Sequence, residues 1–116
     1  MSDLRLEGRV ALIIGAAQGI GKGVASRFRE AGAKLVLADV DNVAGRATAR
    51  DLDAEFVHTD ISKLADAEAA VAHAVKAFGR LDVFVQNAGI FPWQLIEHTS
   101  PDDWDRVLGI NLRGAF

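Results

Sequence analysis

The residues with the clearest chemical potential are three glycines that follow a short aliphatic segment. Gly15, Gly19 and Gly21 come directly after Val10–Ile14 in a G-x-x-x-G-x-G spacing, and an amphipathic helical pattern begins at the last of them. The first turn of a helix has backbone N–H groups without acceptors and the positive end of the helix dipole, so it attracts an anion. Glycines let a phosphate approach that backbone because they have no Cβ atom.

The strand–glycine–helix context predicts a pyrophosphate site formed by Gly15, Gln18, Gly19, Ile20 and Gly21. Taken alone, the glycine triplet is explained equally well by a plain tight turn, because such turns often follow strands. Residues further along the chain therefore decide between a turn and a binding site.

Asp39 ends the next apolar segment, 18 residues after Gly21. A carboxylate at that place can accept hydrogen bonds from the hydroxyls of an adenosine ribose, and it would repel a 2′-phosphate. No Arg or Lys lies between residues 38 and 42 to neutralise such a phosphate, which favours NAD over NADP. The alternative is that Asp39 merely caps a turn before Asp41.

Two polar motifs follow the third and fourth predicted strands. Asp60-Ile61 is placed near an adenine, and the Asp60 carboxylate could accept a hydrogen bond from the exocyclic amine of that base. A surface turn residue ahead of Ser62 explains Asp60 equally well. Asn87-Ala88-Gly89 suits a tight turn without a ligand. Because ligands of a parallel sheet lie at the carboxyl ends of its strands, the position favours a binding role for Asn87-Ala88-Gly89, whereas the two interpretations of Asp60 stay equal.

Asn111 is the most informative polar residue of the last predicted helix. Its spacing puts it on one stripe with the apolar residues that we expect this helix to bury, which are Trp104, Val107, Leu108 and Ala115. A buried amide without a partner costs about 1–3 kcal/mol, so Asn111 should be hydrogen-bonded. It is either a satisfied core residue or an active-site residue that orders water.

Apolar segments and helical patterns alternate along the chain. After a polar lead-in at 1–8, strands are predicted at 9–14, 34–38, 55–59 and 81–86, and helices at 18–31, 41–52 and 62–78 and from 100 onward, with an irregular loop at 90–99. This order predicts an α/β fold with a doubly wound parallel sheet and strand order 3-2-1-4. Gly32 and Gly79 are expected to end helices, and Asp41, Ser62 and Ser100 to cap them. The stripes expected to pack are Ile20, Val24, Phe28 and Ala31 in the first helix, and Leu64, Ala67, Val71, Val75 and Phe78 in the third.

The composition is that of one globular domain: 116 residues, 50% hydrophobic and 25% charged. The formal net charge of −3 argues against nucleic acid or an anionic membrane as the main partner. The chain has no Cys, and the spacing of its three His matches no metal site, so no metal centre is expected. No apolar run approaches the roughly 20 residues of a membrane span, and the N-terminus lacks a signal-peptide core, so we expect a cytoplasmic protein.

Five motifs together resemble the short-chain dehydrogenase/reductase family in order and spacing. They are Gly15-Ala16-Ala17-Gln18-Gly19-Ile20-Gly21, Asp39, Asp60-Ile61, Asn87-Ala88-Gly89 and Asn111-Leu112-Arg113-Gly114. The resemblance implies a Rossmann-like fold, a nicotinamide cofactor and hydride transfer between that cofactor and an alcohol or ketone. It also implies that Asp60 and Ile61 hold the adenine, that Asn87-Ala88-Gly89 brace the central strand beside the cofactor, and that Asn111 is catalytic, as a member of the proton relay.

Two departures from the family pattern matter. Ile14 replaces the Thr that usually precedes the first glycine, which removes a turn-bracing hydrogen bond worth about 1 kcal/mol. Family members are much longer and carry a catalytic Ser and a Tyr-x-x-x-Lys on later elements, whereas this chain has no Tyr at all. Because acid/base catalysis needs a titratable group at the substrate oxygen, residues 1–116 are expected to be the NAD-binding N-terminal half of a truncated oxidoreductase, inactive alone.

Several expectations concern the complete protein. The free edge of the fourth strand is apolar, so a further strand is expected beside it. In the family the last helix forms a subunit interface, which implies a homo-oligomer. The alternatives are a non-catalytic dinucleotide-binding module and a methyltransferase-like nucleoside binder, and the second does not explain Asn87-Ala88-Gly89 or Asn111. The substrate stays open beyond a small-molecule alcohol or ketone.

Overall fold

A four-stranded parallel sheet forms the centre of the computed structural model, which describes residues 5–116. The strands are Val10–Ile14 (β1), Lys34–Asp39 (β2), Glu55–His58 (β3) and Val83–Gln86 (β4). They lie in the order β3-β2-β1-β4 and every neighbouring pair is parallel. The predicted doubly wound α/β architecture and its 3-2-1-4 order are confirmed.

Four α-helices alternate with the strands of the described chain. They are Gly19–Glu30 (α1), Asn42–Asp51 (α2), Leu64–Phe78 (α3) and Pro101–Leu108 (α4). The segment predicted as an irregular loop contains a short 3-10 helix at Ile96–His98, and a π-helical segment, Gly109–Arg113, continues α4. Residues 1–4 of the predicted lead-in lie outside the described part of the chain.

The core has two layers, one on each face of the sheet. The apolar residues of β1 and β2 alternate between the faces and are almost completely buried, as expected for strands covered on both sides. Ala11, Ile13, Leu35 and Leu37 meet α1 and α2 on one face. The opposite face, with Val10, Leu12, Ile14 and Val36, meets α3.

The strand register brings the predicted site motifs to one edge of the sheet. Ile14 of β1 lies level with Ala38 of β2 and with Gln86 of β4, and Asp39 lies level with His58 of β3. The residues that follow the strands at their carboxyl ends therefore lie close to one another.

Most of the predicted helix ends are confirmed. Gly32 and Gly79 have left-handed backbones with φ of +94° and +80°. The Asp41 carboxylate accepts from the N–H of Ala44 at 2.9 Å, and the Ser100 hydroxyl accepts from the N–H of Asp103 at 3.1 Å. These bonds satisfy first-turn donors that would otherwise have no acceptor.

The predicted cap of α3 is wrong. Lys63 stands at the N-cap of α3 and makes no side-chain capping bond. Ser62 instead donates its hydroxyl to the Asp60 carboxylate at 2.6 Å. The Ser62 hydroxyl bonds to this carboxylate instead of capping the helix, because hydrogen bonds to a charged group are shorter and stronger than those between neutral groups.

Three predicted packing stripes are also corrected, two of them only in part, since Ala67 and Phe78 near α3 and Val24, Phe28 and Ala31 near α1 do lie in or against the core. In α3 the fully buried residues are Ala70 and Ala74, whereas Leu64, Val71 and Val75 are exposed. The small alanines let α3 approach the sheet closely and turn its larger side chains toward the free edge of β4. In α1, Ile20 is 78% exposed because it lies in the first turn, beyond the sheet.

In α4 no residue is buried, so the expected burial of Trp104, Val107, Leu108 and Ala115 is wrong. Trp104 is 55% exposed. β4 is the last strand on its side of the described sheet, so the helix that follows it has no further strand to cover.

Candidate functional site

A cleft of about 310 Å³ opens at the carboxyl ends of the strands. Ligands of doubly wound sheets bind at this edge, near the point where the strand order reverses, which here is between β1 and β4. The lining includes eight of the predicted site residues, namely Gly15, Gln18, Asp39, Asp60, Ile61, Asn87, Ala88 and Gly89. It also includes Ile14, which the sequence marked only as a departure from the family pattern, and Val40, Thr59, Ile90 and Ile110, which the sequence did not single out.

Gly15 begins the glycine loop and has a conformation that other residues rarely adopt, with φ of +82°. Its N–H donates to the carbonyl oxygen of Ala38 at 2.7 Å, which holds the loop against the end of β2. A Cβ atom at Gly15 would lie 2.8 Å from the backbone nitrogen of Ala88. A glycine here therefore lets the two loops touch.

Gly19, Ile20 and Gly21 form the first turn of α1, beside the cleft rather than in its lining. Gly19 has φ of +60°. Gln18 is the N-cap of α1, and its side chain makes no capping hydrogen bond. No capping side chain therefore occupies the first-turn N–H groups, and an anion can bind N–H groups of this kind.

Asp39 lies where both roles that the sequence left open are possible. Its Oδ2 atom accepts from the N–H of Ala17 at 3.0 Å, and its Oδ1 atom accepts from the N–H of Asp41 at 3.0 Å. The carboxylate therefore does brace a turn, and it also lines the cleft. An ionised carboxylate has about four acceptor positions, so two bonds leave capacity for the two ribose hydroxyls.

Asp60 makes the turn contacts that one of its two predicted roles requires. Its Oδ1 atom accepts from the hydroxyl and the N–H of Ser62 at 2.6 and 3.0 Å, and its own N–H donates to Asp66 at 2.9 Å. The Ser62 hydroxyl is the main reason that the pKa of Asp60 lies below its usual value. The carboxylate stays charged at neutral pH and lines the cleft, where it can accept from an amine.

Asn87 ties the end of β4 to the glycine loop. Its N–H donates to the carbonyl oxygen of Ile14 at 3.0 Å, and its side-chain amide donates to that of Gly15 at 3.1 Å. Gln86 donates its side-chain amide to the carbonyl oxygen of Ala88 at 3.1 Å. These three bonds fix the Asn87-Ala88-Gly89 turn beside β1.

Asn111 lies in the π-helical segment and binds the backbone of Ile90 with both ends of its amide. Its Oδ1 atom accepts from the N–H of Ile90 at 2.8 Å, and its Nδ2 atom donates to the carbonyl oxygen of Ile90 at 2.7 Å. The predicted partner is present, but the residue is exposed rather than buried. Asn111 does not line the cleft; it holds in place a residue that does.

Thr48 of α2 is a residue that sequence reasoning missed. It is 2% exposed, and its hydroxyl donates to the carbonyl oxygen of Ala17 in the glycine loop at 2.8 Å. The sequence does contain a hint of this role, because the Thr48 hydroxyl lies on the face of α2 that is made of small residues. Gly45 and Ala49 on that face are both buried. That face had to pack on the sheet, so a polar atom on it needed a partner.

Residues 5–116 contain no group of three His, Cys, Asp or Glu side chains that could hold a metal ion. In the same range, no helix combines the length and the apolar character that crossing a membrane requires.

Comparisons with known proteins point to one family. The family model for short chain dehydrogenase matches residues 9–116. Borneol dehydrogenase, mitochondrial, from Lavandula x intermedia is 46% identical over 114 residues, which cover 97% of this chain and 44% of the relative. The 3-alpha-(or 20-beta)-hydroxysteroid dehydrogenase of Mycobacterium tuberculosis (strain CDC 1551 / Oshkosh) is 42% identical over 114 residues, again 97% of this chain and 44% of the relative.

A solved structure agrees with these relatives. The 3-ketoacyl-(acyl-carrier-protein) reductase from Brucella melitensis, crystallised in complex with NADH, superposes with a TM-score of 0.91 at 45% identity. The superposition covers 95% of this chain and 46% of that one. The chain thus spans somewhat less than half the length of the relatives it matches. Because the family model matches almost every residue, this chain belongs to the short-chain dehydrogenase family.

Proposed function

We propose that this chain is the NAD-binding half of an oxidoreductase that transfers a hydride between the nicotinamide and the carbon of an alcohol or ketone. Its family supports the oxidoreductase class. Two relatives are named as dehydrogenases of borneol and of hydroxysteroids, which are secondary alcohols, and a structural neighbour holds NADH. The bound nicotinamide would supply or accept the hydride, and this chain would hold the cofactor.

The residues in and beside the cleft match the parts of a dinucleotide in their order along that ligand. The first turn of α1, at Gly19 and Ile20, offers N–H donors to the pyrophosphate. Asp39 offers carboxylate oxygens to the adenosine ribose, and Asp60-Ile61 lie further along the same edge, where an adenine would fit. Asn87-Ala88-Gly89 close the opposite side, beside β1.

The observation that carries the proposal is the position of the Asp39 carboxylate. It lines the cleft, and its Oδ2 atom is 3.0 Å from the N–H of Ala17 in the glycine loop. No Arg or Lys is among the residues that line the described cleft. A 2′-phosphate would meet a negative charge with no cation to offset it, which favours NAD over NADP.

Titration with NADH and NADPH tests this proposal, with cofactor fluorescence as the readout. We expect NADH to bind at least about tenfold more tightly, because a hydrogen bond to a charged group contributes about 1.5–3 kcal/mol. Asp39→Ala should weaken NADH binding by a similar factor and abolish the preference. Asp41→Ala removes a carboxylate two residues away and should cost about 1 kcal/mol of stability through the lost helix cap, with unchanged NADH affinity. NADPH binding as tight as that of NADH would refute the NAD assignment.

The second candidate is a dinucleotide-binding module that does not turn over substrate. Asn111 is the residue to which the family resemblance gives a catalytic role, and both ends of its side-chain amide are hydrogen-bonded to the backbone of Ile90. In the enzyme proposal, Asn111 contributes by placing Ile90, and the acid/base group comes from outside these residues.

The proposal extends to partners of the complete protein. The substrate is a small-molecule alcohol or ketone, and the protein acts as a homo-oligomer in the cytoplasm. Exposed apolar side chains on one stripe of α4, Trp104 and Leu108, support the oligomer, because a helix surface of this kind is usually covered.

A further inference from the structure

Ala17, in the middle of the glycine loop, is held on both sides by residues from other elements. Its N–H donates to the Oδ2 atom of Asp39, and its carbonyl oxygen accepts from the hydroxyl of Thr48 at 2.8 Å. Ala17 itself is only 3% exposed. The two peptide planes that meet at Ala17 are therefore each fixed by a partner outside the loop.

The Thr48 bond departs from the ordinary behaviour of a helical threonine. A threonine inside a helix usually donates to a carbonyl one turn back in its own helix or to water. Thr48 is 2% exposed and reaches a carbonyl 31 residues earlier in the chain. Without this hydroxyl, the buried carbonyl of Ala17 would lose its partner.

Thr48 also sets the direction of the next N–H group. In a trans peptide the C=O and the following N–H point in opposite directions. Because the Ala17 carbonyl points at α2, the N–H of Gln18 points away from α2, and Gln18 lines the cleft. Within residues 5–116, the Gln18 N–H has no acceptor.

We propose that Thr48 is a positioning residue for phosphate binding, which aims the Gln18 N–H into the cleft by holding the Ala17 carbonyl. This inference rests on the proposed function, since it assumes that the cleft takes a dinucleotide. The hydroxyl never touches the ligand. It acts through one peptide unit, and its contribution is limited to ligands that carry phosphate.

The test compares ADP with adenosine as ligands of three variants of the 116-residue chain. Thr48→Val keeps the shape of the side chain and removes the donor, whereas Thr48→Ser keeps the donor. Ala47→Val introduces a valine at the exposed neighbouring position of α2 and controls for the lower helix propensity of that residue. Binding is followed by calorimetry or by amide NMR at a temperature where every variant is folded.

We expect Thr48→Val to weaken ADP binding about five- to tenfold, the loss expected from about one hydrogen bond. Adenosine binding should stay within about twofold of wild type, because adenosine has no phosphate to lose a contact. Thr48→Ser and Ala47→Val should bind both ligands as wild type does. A purely structural role for Thr48 would lower the affinities for both ligands alike.

Equal ADP affinity of wild type and Thr48→Val would overturn the inference and leave the proposed function standing. So would an equal loss for ADP and adenosine, or a loss in Thr48→Ser as large as in Thr48→Val. If wild type binds neither NADH nor ADP, the proposed function itself fails. Should Thr48→Val not fold, wild type decides by amide NMR: the Gln18 signal must move with ADP and not with adenosine, and an unmoved signal overturns the inference.

Discussion

At Gly21 the missing side chain is what lets three parts of the site come together. A Cβ atom there would overlap the carbonyl oxygen of Gly15 and would lie 2.8 Å from the side-chain nitrogen of Asn87. Those two atoms are themselves joined by a hydrogen bond of 3.1 Å. Any side chain at position 21 would therefore separate α1 from the loop that follows β4.

Gly21→Ala is expected to destabilise the fold by about 1–3 kcal/mol, the usual cost of forcing an extra group into a packed site. It should also weaken NADH binding, because the first turn of α1 moves. Gly23→Ala is the matched control in the same helix, since no atom lies within 4 Å of a Cβ there. This control should raise stability by about 0.5–1 kcal/mol through helix propensity and leave binding unchanged. Urea unfolding and NADH titration measure both effects; equal stability of the two variants would contradict the packing argument.

The sequence predicted which polar residues reach the cleft more reliably than what each one does there. Asp39 and Asp60 stood at strand ends, so their location followed from the alternation of elements. Turns at Asp41 and Ser62 were among the predicted alternatives, and the structure shows these turn contacts. The sequence could not decide whether the same carboxylates also line a cleft, because that depends on how the elements pack. Asn111 was expected to need a partner, but its partner is the backbone of Ile90, and a backbone atom leaves no signature in a sequence.

At the scale of elements, one carboxylate joins β1 and β4 at the end of the sheet opposite the cleft. The Oδ2 atom of Asp82 accepts from the N–H of Val10 at 2.9 Å, and its Oδ1 atom accepts from Arg80 at 2.6 and 3.0 Å. Arg9 lies 3.6 Å from the same carboxylate. The Asp82 side chain thus accepts the Val10 N–H in place of a backbone carbonyl of a neighbouring strand. The strand β4 starts at Val83 rather than at the predicted residue 81.

The pKa of Asp82 lies below its usual value, mainly because of the Arg80 hydrogen bonds and then because of the Val10 N–H. A carboxyl group whose pKa is lower in the folded chain than in the unfolded chain stabilises the fold above the unfolded value. That stabilisation is lost as the pH falls through the folded value. Asp60 and Asp103, whose pKa values are also lowered, act in the same direction.

We therefore expect the wild-type melting temperature to fall between about pH 5 and pH 3, and to fall less in Asp82→Asn. At neutral pH the variant should be the less stable protein. Asp105→Asn, at an exposed position of α4, provides the control and should follow wild type throughout. Thermal melts across this pH range measure the effect; parallel curves for wild type and Asp82→Asn would show that this carboxylate does not carry the acid sensitivity.

Helix positions were predictable from periodicity, but their orientation was not. α3 has two apolar sides, one with Ala70 and Ala74 and one with Leu64, Val71 and Val75. A hydrophobic pattern favours the side with the larger residues. Close packing on a sheet favours the side with the smaller ones, and this preference decides the orientation. The sequence therefore located α3 and placed Ala67 and Phe78 correctly against the core. For the rest of the buried face it predicted Leu64, Val71 and Val75 instead of Ala70 and Ala74.

At the scale of the whole molecule, an apolar groove of about 520 Å³ lies beside β4. Its lining includes Leu64 and Val71 of α3 and Phe84 of β4, which are 73%, 40% and 47% exposed. β4 pairs only with β1 in the described sheet, so its outer edge is open, as predicted. Open apolar edges of this kind promote association with other chains.

We expect the 116-residue chain to bind NADH and yet to show no hydride transfer. General acid/base catalysis needs a titratable group in reach of the substrate oxygen, and Asn111 cannot serve because an amide does not titrate. The check is NADH formation from NAD with borneol or another secondary alcohol, followed by cofactor absorbance, with a full-length family member as positive control. Formation of NADH above the background without enzyme would contradict this expectation.

The central claim is that a dinucleotide lies across the carboxyl edge of the sheet, with its pyrophosphate at the first turn of α1 and its adenosine ribose at Asp39. A crystal structure of the chain with NADH tests this most directly. We expect hydrogen bonds from the N–H groups of Gly19 and Ile20 to the pyrophosphate, and from the ribose hydroxyls to the Asp39 carboxylate. NADH bound in the groove beside β4, or a ribose out of reach of Asp39, would contradict it.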